Sequence, residues 1–193
     1  KLLLFLIFSL NSFIAYSEEL KFEASSIEII DKDKIVIAKD GVKILSANDI
    51  VIDAKQMRYD KEKKFLEASG DIVITNKIEK IKIYSDNIAY DKDAEKIVSS
   101  GNVEVKFEND YFLKTEEIVY LKNSGEILIN NETKIKDSLG NEIEFKNLNY
   151  NTNDKLVKGK MVKLSDLEKN SYKFESAIID FSKNKIIADD VTI

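Results

Sequence analysis

Apolar and polar residues alternate along most of this chain. Ile72 and Ile74, Ile81 and Ile83, Val103, Val105 and Phe107, and Ile127 and Ile129 recur at a spacing of two, with Lys and Glu in many intervening places. That period puts one set of side chains on one face of a strand and their neighbours on the other. Ile, Val, Tyr and Phe favour strands, and no 3.6-residue stripe competes. Polar runs separate the apolar stretches: Asp60 to Lys64, Asp91 to Glu95, Lys122 to Gly125 and Asn151 to Asp154. They read as turns between paired strands.

The turns are periodic. Tyr59, Tyr90, Tyr120, Tyr150 and Phe181 precede them at intervals of 31, 30, 30 and 31 residues, and Ile29 fills the same slot 30 residues before Tyr59. Gly70 follows Tyr59 by 11 residues, as Gly101 follows Tyr90. A fixed period of this size marks stacked units, none of which buries its apolar face alone. Six strand-turn-strand units predict an all-β fold of about a dozen short antiparallel strands. The expected architecture is an elongated, open jelly roll or sandwich, with two sheets facing each other. Gly70 and Gly101 mark a bend or bulge before alternation resumes. The repeated tyrosines are expected to pack at strand ends beside the turns. Proline is absent, so lysine must protect the sheet edges.

Composition narrows the function. Residues 1–17 read as a signal peptide: Lys1, an apolar run from Leu2 to Leu10, and Ala15-Tyr16-Ser17 before a cut at Glu18. Its removal leaves 176 residues, and loss of Lys1 takes the net charge from −5 to −6. The apolar run is shorter than the roughly 20 residues a spanning helix needs. There is no Cys and no His, which excludes a disulfide framework, thiol chemistry, the usual general base and most zinc sites. Lysine and acid are interspersed and Arg58 is the sole arginine, a pattern of a wet surface rather than a nucleic-acid stripe. The paired Asp residues of the turns lack the spacing of a calcium loop. No cofactor is expected.

Two repeats carry a further pattern. Met57-Arg58-Tyr59-Asp60 leads to Ala68-Ser69-Gly70-Asp71-Ile72, and Ile88-Ala89-Tyr90-Asp91 leads to Ser99-Ser100-Gly101-Asn102-Val103. The lead-ins Ala47-Asn48-Asp49-Ile50 and Ser85-Asp86-Asn87-Ile88 match as well. The chain thereby resembles the OstA-type periplasmic domain of the lipopolysaccharide export system, over residues 18–193. That domain occurs in the periplasmic bridge protein and in the N-terminal part of the outer-membrane assembly protein, and its fold is an open β-jelly roll. Later repeats drift, as in Asp137 to Phe145 and Leu156 to Met161, which favours the assembly protein. The sequence is then expected to continue past Ile193 into an outer-membrane barrel.

The resemblance implies a non-catalytic protein on the periplasmic side of a Gram-negative outer membrane. Its expected partners are lipopolysaccharide, held by the acyl chains of lipid A, the bridge protein, the barrel domain and its plug lipoprotein. Each acyl CH₂ hidden from water is worth about 0.8 kcal/mol. The inward set Ile72, Ile74, Ile81, Ile83, Val103, Val105, Phe107, Ile127 and Ile129 would line the groove. The first strand, with Phe22, Ala24, Ile27 and Ile29, would be the docking edge to which the bridge protein adds a strand. The alternatives are a stand-alone bridge protein, a repeat scaffold with a filled core, or an enzyme acting on envelope glycans. For the enzyme, no pair of carboxylates is singled out.

Overall fold

The computed structural model describes residues 21–45, 50–77, 80–106, 112–136, 140–154, 156–165, 167–168, 170–180, 183 and 185–189. The expected signal peptide, Phe107 and Phe181 lie outside them. Every regular element among the described residues is a strand. In chain order these are β1 (Lys21–Glu23), β2 (Ser26–Ile30), β3 (Ile35–Leu45), β4 (Ile50–Asp60), β5 (Phe65–Asn76), β6 (Ile81–Asp91), β7 (Lys96–Lys106) and β8 (Phe112–Leu121). There follow β9 (Glu126–Ile129), β10 (Thr133–Lys136), β11 (Glu142–Phe145), β12 (Asn147–Asn151), β13 (Leu156–Ser165), β14 (Ser171–Asp180) and β15 (Lys185–Asp189).

All fifteen belong to one antiparallel sheet. Its connectivity is a meander. β1 and β2 both pair β3, β9 and β10 both pair β8, and β11 and β12 both pair β13. Each of these couples is one long strand interrupted near its middle. The strand count therefore exceeds the dozen expected from the repeats. Where β3, β5 and β7 stay continuous, a bulge does the bending. The register shifts at Lys39/Val42, Ser69/Ile72 and Ser100/Val103. The extra residues, Asp40-Gly41, Gly70-Asp71 and Gly101-Asn102, all have positive φ. Gly70 and Gly101 hold that conformation without a Cβ penalty.

The two facing sheets expected from the repeats are the two leaves of a single sheet that folds over on itself, because the bulges let a strand turn the corner without ending. The fold line divides it into a leaf beside the short turns and a leaf beside the longer connections. Phe22 of the connection-side leaf meets Tyr59 of the turn-side leaf with ring centroids 5.8 Å apart. One core cluster joins Val36, Met57, Leu66 and Ile88 of the turn side to Val42, Ile44 and Ile72 of the other. A second cluster continues it with Val103, Val105, Ile118, Ile129, Phe145 and Val157. Burying an aliphatic side chain to this degree contributes about 1.5–3 kcal/mol.

The aromatic landmark becomes one row across the sheet. Ile29 opposes Val36, then Tyr59, Leu66, Tyr90, Ile97, Tyr120, Ile127, Tyr150, Val157 and Ile179 follow in register. Ile29 thus holds the slot its spacing gave it. The Asp or Asn after the aromatic residue closes the turn. Asp60 Oδ1 accepts from the Lys63 amide (3.0 Å), Asp91 Oδ1 from the Ala94 amide (2.9 Å), and Asn151 Oδ1 from the Asn153 amide (2.9 Å). The turns also bond to one another. The amides of Lys61, Lys92, Lys122 and Thr152 donate to the carbonyls of Lys34, Lys64, Glu95 and Gly125 in the preceding turns. Lys34–Glu62 and Lys64–Asp93 ion pairs, each 2.7 Å, reinforce that rim. The hydrogen bond that Lys64 donates to Asp93 also holds its ammonium above the ordinary pKa.

Candidate functional site

The concave side of the folded sheet is apolar along its whole width. On the connection-side leaf one inner row reads Phe22, Ile44, Ile52, Ile74, Ile83, Val105, Leu113, Ile135, Ile143, Leu164 and Tyr172. Every successive pair is directly opposed across neighbouring strands, and no polar residue interrupts them apart from the hydroxyl of Tyr172. Eleven strands at about 4.8 Å spacing give the row a length of about 48 Å. The facing row on the turn-side leaf is the Ile29–Ile179 row described above. Together they are the two lips of the candidate trough, and at the first strands they meet, Phe22 against Tyr59.

Burial grades from the fold line outwards. Nearest the bend, Val42, Ile72, Val103, Thr133 and Phe145 are almost fully buried. Small hydroxyl residues interleave with them. Thr133 Oγ1 donates to the Asn131 carbonyl (3.0 Å), and Ser85 Oγ donates to the Asn87 carbonyl (3.1 Å). These buried polar atoms are thereby satisfied locally, as an apolar interior requires. Towards the lips, Ile52, Ile74, Ile83, Ile135, Ile143 and Leu164 are only partly buried, as are Tyr59, Tyr90, Tyr120 and Tyr150 opposite.

The sequence-derived groove residues that are described fall on this inner face, and Phe107 lies outside the described residues. Ile74, Ile83 and Val105 lie in the lip row, and Ile127 lies in the row opposite. Ile81 packs against the second cluster from the outermost inner position. Ile72, Val103 and Ile129 sit on the floor at 1% exposure, packed on all sides. Sequence reading left out Ile44, Ile52, Leu113, Ile135, Ile143, Leu164 and Tyr172. Their signal was the same alternation, carried into strands with less regular neighbours.

The proposed docking segment is split. Phe22 lies in β1 and Ile27 and Ile29 in β2, with a break at Ala24-Ser25. Phe22 and Ala24 pack on the first core cluster. Ile27 and Ile29 are 49% and 53% exposed at the free side of the sheet. β1 and β2 pair only with β3 among the described residues.

The convex side of the connection-side leaf is charged, whereas that of the turn-side leaf carries Ile37, Ala89, Val98, Val119, Leu128 and Ile178 in one row with Arg58, Glu67 and Lys158. On the connection-side leaf, hydrogen bonds from Lys134, Lys136 and Lys114 hold the carboxyls of Glu144, Glu142 and Glu104 below the ordinary glutamate value. Lys134–Glu144 measures 2.7 Å. Among the described residues no group of three or more Asp or Glu side chains is placed to hold a metal ion.

Fold and site together define a class: a folded-over antiparallel meander with an apolar interior between its two leaves. No family model and no curated protein matches the chain. Among solved structures it is similar to the crystal structure of LptH, the LptA-homologous periplasmic component of the conserved lipopolysaccharide transport device from Pseudomonas aeruginosa. That match has 15% identity, covers 91% of this chain and 95% of the other, and has a TM-score of 0.30. The two superimpose loosely, so the all-β assignment rests on the strands and registers given above.

Proposed function

We propose that this chain is a non-catalytic carrier element that shelters the acyl chains of lipopolysaccharide in its trough on their way to the outer membrane. The observation that carries the reading is the uninterrupted inner row from Phe22 to Tyr172, only partly buried at eight of its eleven positions. Partly buried apolar residues in a continuous line leave apolar surface that an acyl chain would cover. The sugar head would remain in water beyond the lips. The OstA-type resemblance supplies the substrate class and the periplasmic location. It also supplies the finer assignment, an N-terminal domain that feeds an outer-membrane barrel and its plug lipoprotein.

In this reading β1 and β2 accept a strand from the bridge protein, through Phe22, Ala24, Ile27 and Ile29. Exposed Ile27 and Ile29 give the incoming strand apolar neighbours on the inner face, so the trough would continue across the junction. Replacing Ile27 with Pro is expected to weaken capture of the bridge protein, and unchanged capture would remove this part of the reading.

Photocrosslinking tests the trough itself. A photoreactive residue at Ile74 or Ile83 is expected to yield lipopolysaccharide adducts. The same residue at Val73 or Tyr84, on the opposite face of the same strands, is expected to yield none. Equal labelling of both faces, or of neither, refutes the trough. Adducts with other lipids but not with lipopolysaccharide would keep the trough and overturn the substrate.

A further inference from the structure

On the convex side of the connection-side leaf, lysines stand directly opposite lysines. Lys82 faces Lys106, Lys114 faces Lys134, and Lys163 faces Lys173. Every other directly opposed pair of charges in the described register joins a cation to a carboxylate, as in Glu23–Lys43, Arg58–Glu67 and Asp180–Lys185. Like charges in opposed positions destabilise a sheet. All three such pairs fall on one face, all are basic, and the chain as a whole carries −5. Chance placement of lysine would scatter them over both leaves, and self-repulsion would remove them. A local conflict concentrated in one place is the mark of a surface kept for a ligand.

The carboxylates on this face cancel the lysines only in part. Lys114, Lys134 and Lys136 pair with Glu104, Glu144 and Glu142, and Lys163 reaches Glu144 at 3.7 Å. Lys82 and Lys173 have no ion-pair partner among the described residues. Lys106 has none either; its ammonium lies 4.9 Å from the Tyr84 ring centroid and 5.8 Å from that of Phe112. The lysines occupy two adjacent rows over the seven strands β6, β7, β8, β10, β11, β13 and β14, a breadth of about 29 Å at normal strand spacing. Phe112 sits between Lys106 and Lys136 in one of those rows, 41% exposed.

We infer that this face docks on the surface of an anionic lipid bilayer. Seven lysines against Glu104, Glu142 and Glu144 in these rows leave a net positive face that matches a plane of lipid phosphates, and an exposed phenylalanine among the lysines suits the headgroup boundary better than a hydrophilic polymer. The acidic remainder of the molecule would then face away from the bilayer. The inference is independent of the trough, whose contents lie on the other side of the same strands.

Vesicle flotation tests it with the full chain and no lipopolysaccharide. Vesicles of phosphatidylcholine alone are compared with equal parts phosphatidylcholine and phosphatidylglycerol. The quantity read is the ratio of binding to the two, so that any apolar association common to both cancels. Binding to the anionic vesicles is expected to be stronger and to fall with added salt. Lys82→Gln with Lys173→Gln should lower that ratio about 25-fold, from the loss of two surface lysines. The same double variant should leave the unfolding midpoint unchanged or raise it, since each change relieves an opposed pair; a purely structural role for these lysines would lower it. Equal binding to both vesicles, or an unaltered ratio in the variant, overturns the inference. Retention on a soluble polyanion such as dextran sulfate with no preference for anionic vesicles would overturn the bilayer as the occupant.

Discussion

Gly159 in β13 and Phe145 at the end of β11 form the tightest approach in the core. A Cβ built on Gly159 would lie 2.2 Å from Phe145 Cδ1 and 2.5 Å from Cε1, with Val162 Cγ2 at 3.1 Å. Carbon atoms in contact normally stay about 3.5–4.0 Å apart, so the ring would have to withdraw by more than about 1 Å. Phe145 is among the most buried side chains and has little room to do so. Overpacking of this kind costs about 1–3 kcal/mol. The backbone argument has the opposite sign. Gly159 does not adopt a positive φ, so alanine there should gain about 0.5–1 kcal/mol of chain entropy. The ring wins: Gly159→Ala is expected to destabilise by about 2 kcal/mol, from the upper end of the overpacking range less the entropy gain. For a chain of this size that lowers the melting temperature by about 4–8 °C. Phe145→Val removes the two clashing ring carbons. In that background Gly159→Ala should be neutral or stabilising, a change of sign readable by urea denaturation of the four species in a double-mutant cycle. An equal cost in both backgrounds would refute the steric account and point to backbone strain at Gly159.

Gly101→Ala should cost more than Gly41→Ala by urea denaturation. Both pay about 1–2 kcal/mol for a left-handed backbone, but a Cβ at Gly101 meets Asp86 Oδ2 at 2.6 Å whereas at Gly41 it meets nothing within 4 Å. Asp91→Ala should cost about 0.5–1.5 kcal/mol by removing the acceptor for the Ala94 amide, with the change in hydrogen exchange confined to that turn and the one bonded to it. The carboxyls of Glu104, Glu142 and Glu144 are held below their ordinary value of 4.5, so the stability they contribute is present above that value and lost as pH falls through their lower folded values. The unfolding midpoint should therefore drop on acidification, and Lys134→Gln with Lys136→Gln should flatten the drop; an unchanged pH profile would show these pairs to be inert.

Much of this architecture is written in the chain. The tyrosine period fixed the turns because Asp60, Asp91 and Asn151 each close a turn in the same way, and a repeated local bond leaves a repeated residue. The glycine landmark found the bends at Gly70 and Gly101 for the same reason. It missed the bend at Met161, whose φ is 50° without a glycine to mark it, and the interruptions at Asn131 and Lys146, where the strand stops instead of bulging. That is why repeats alone gave a dozen strands and the molecule has fifteen. The trough residues were legible one strand at a time from alternation. Their union into a single line, and the opposition of Lys82 to Lys106 on the other face, depend on register, which a sequence specifies only through turns of known length.

The bend also sets how this molecule could change size. Asp40-Gly41, Gly70-Asp71, Gly101-Asn102 and Met161 fall at one phase of the repeat, so excising a single strand pair with its turn joins equivalent points and keeps every side chain on its own face. Each such excision would shorten the trough by two strand spacings, about 9.6 Å. A deletion of an odd number of residues within a strand would instead set lysines against the interior. Reach across a gap is thus quantised: the chain can be lengthened or shortened by whole steps, like rungs added to or taken from a ladder.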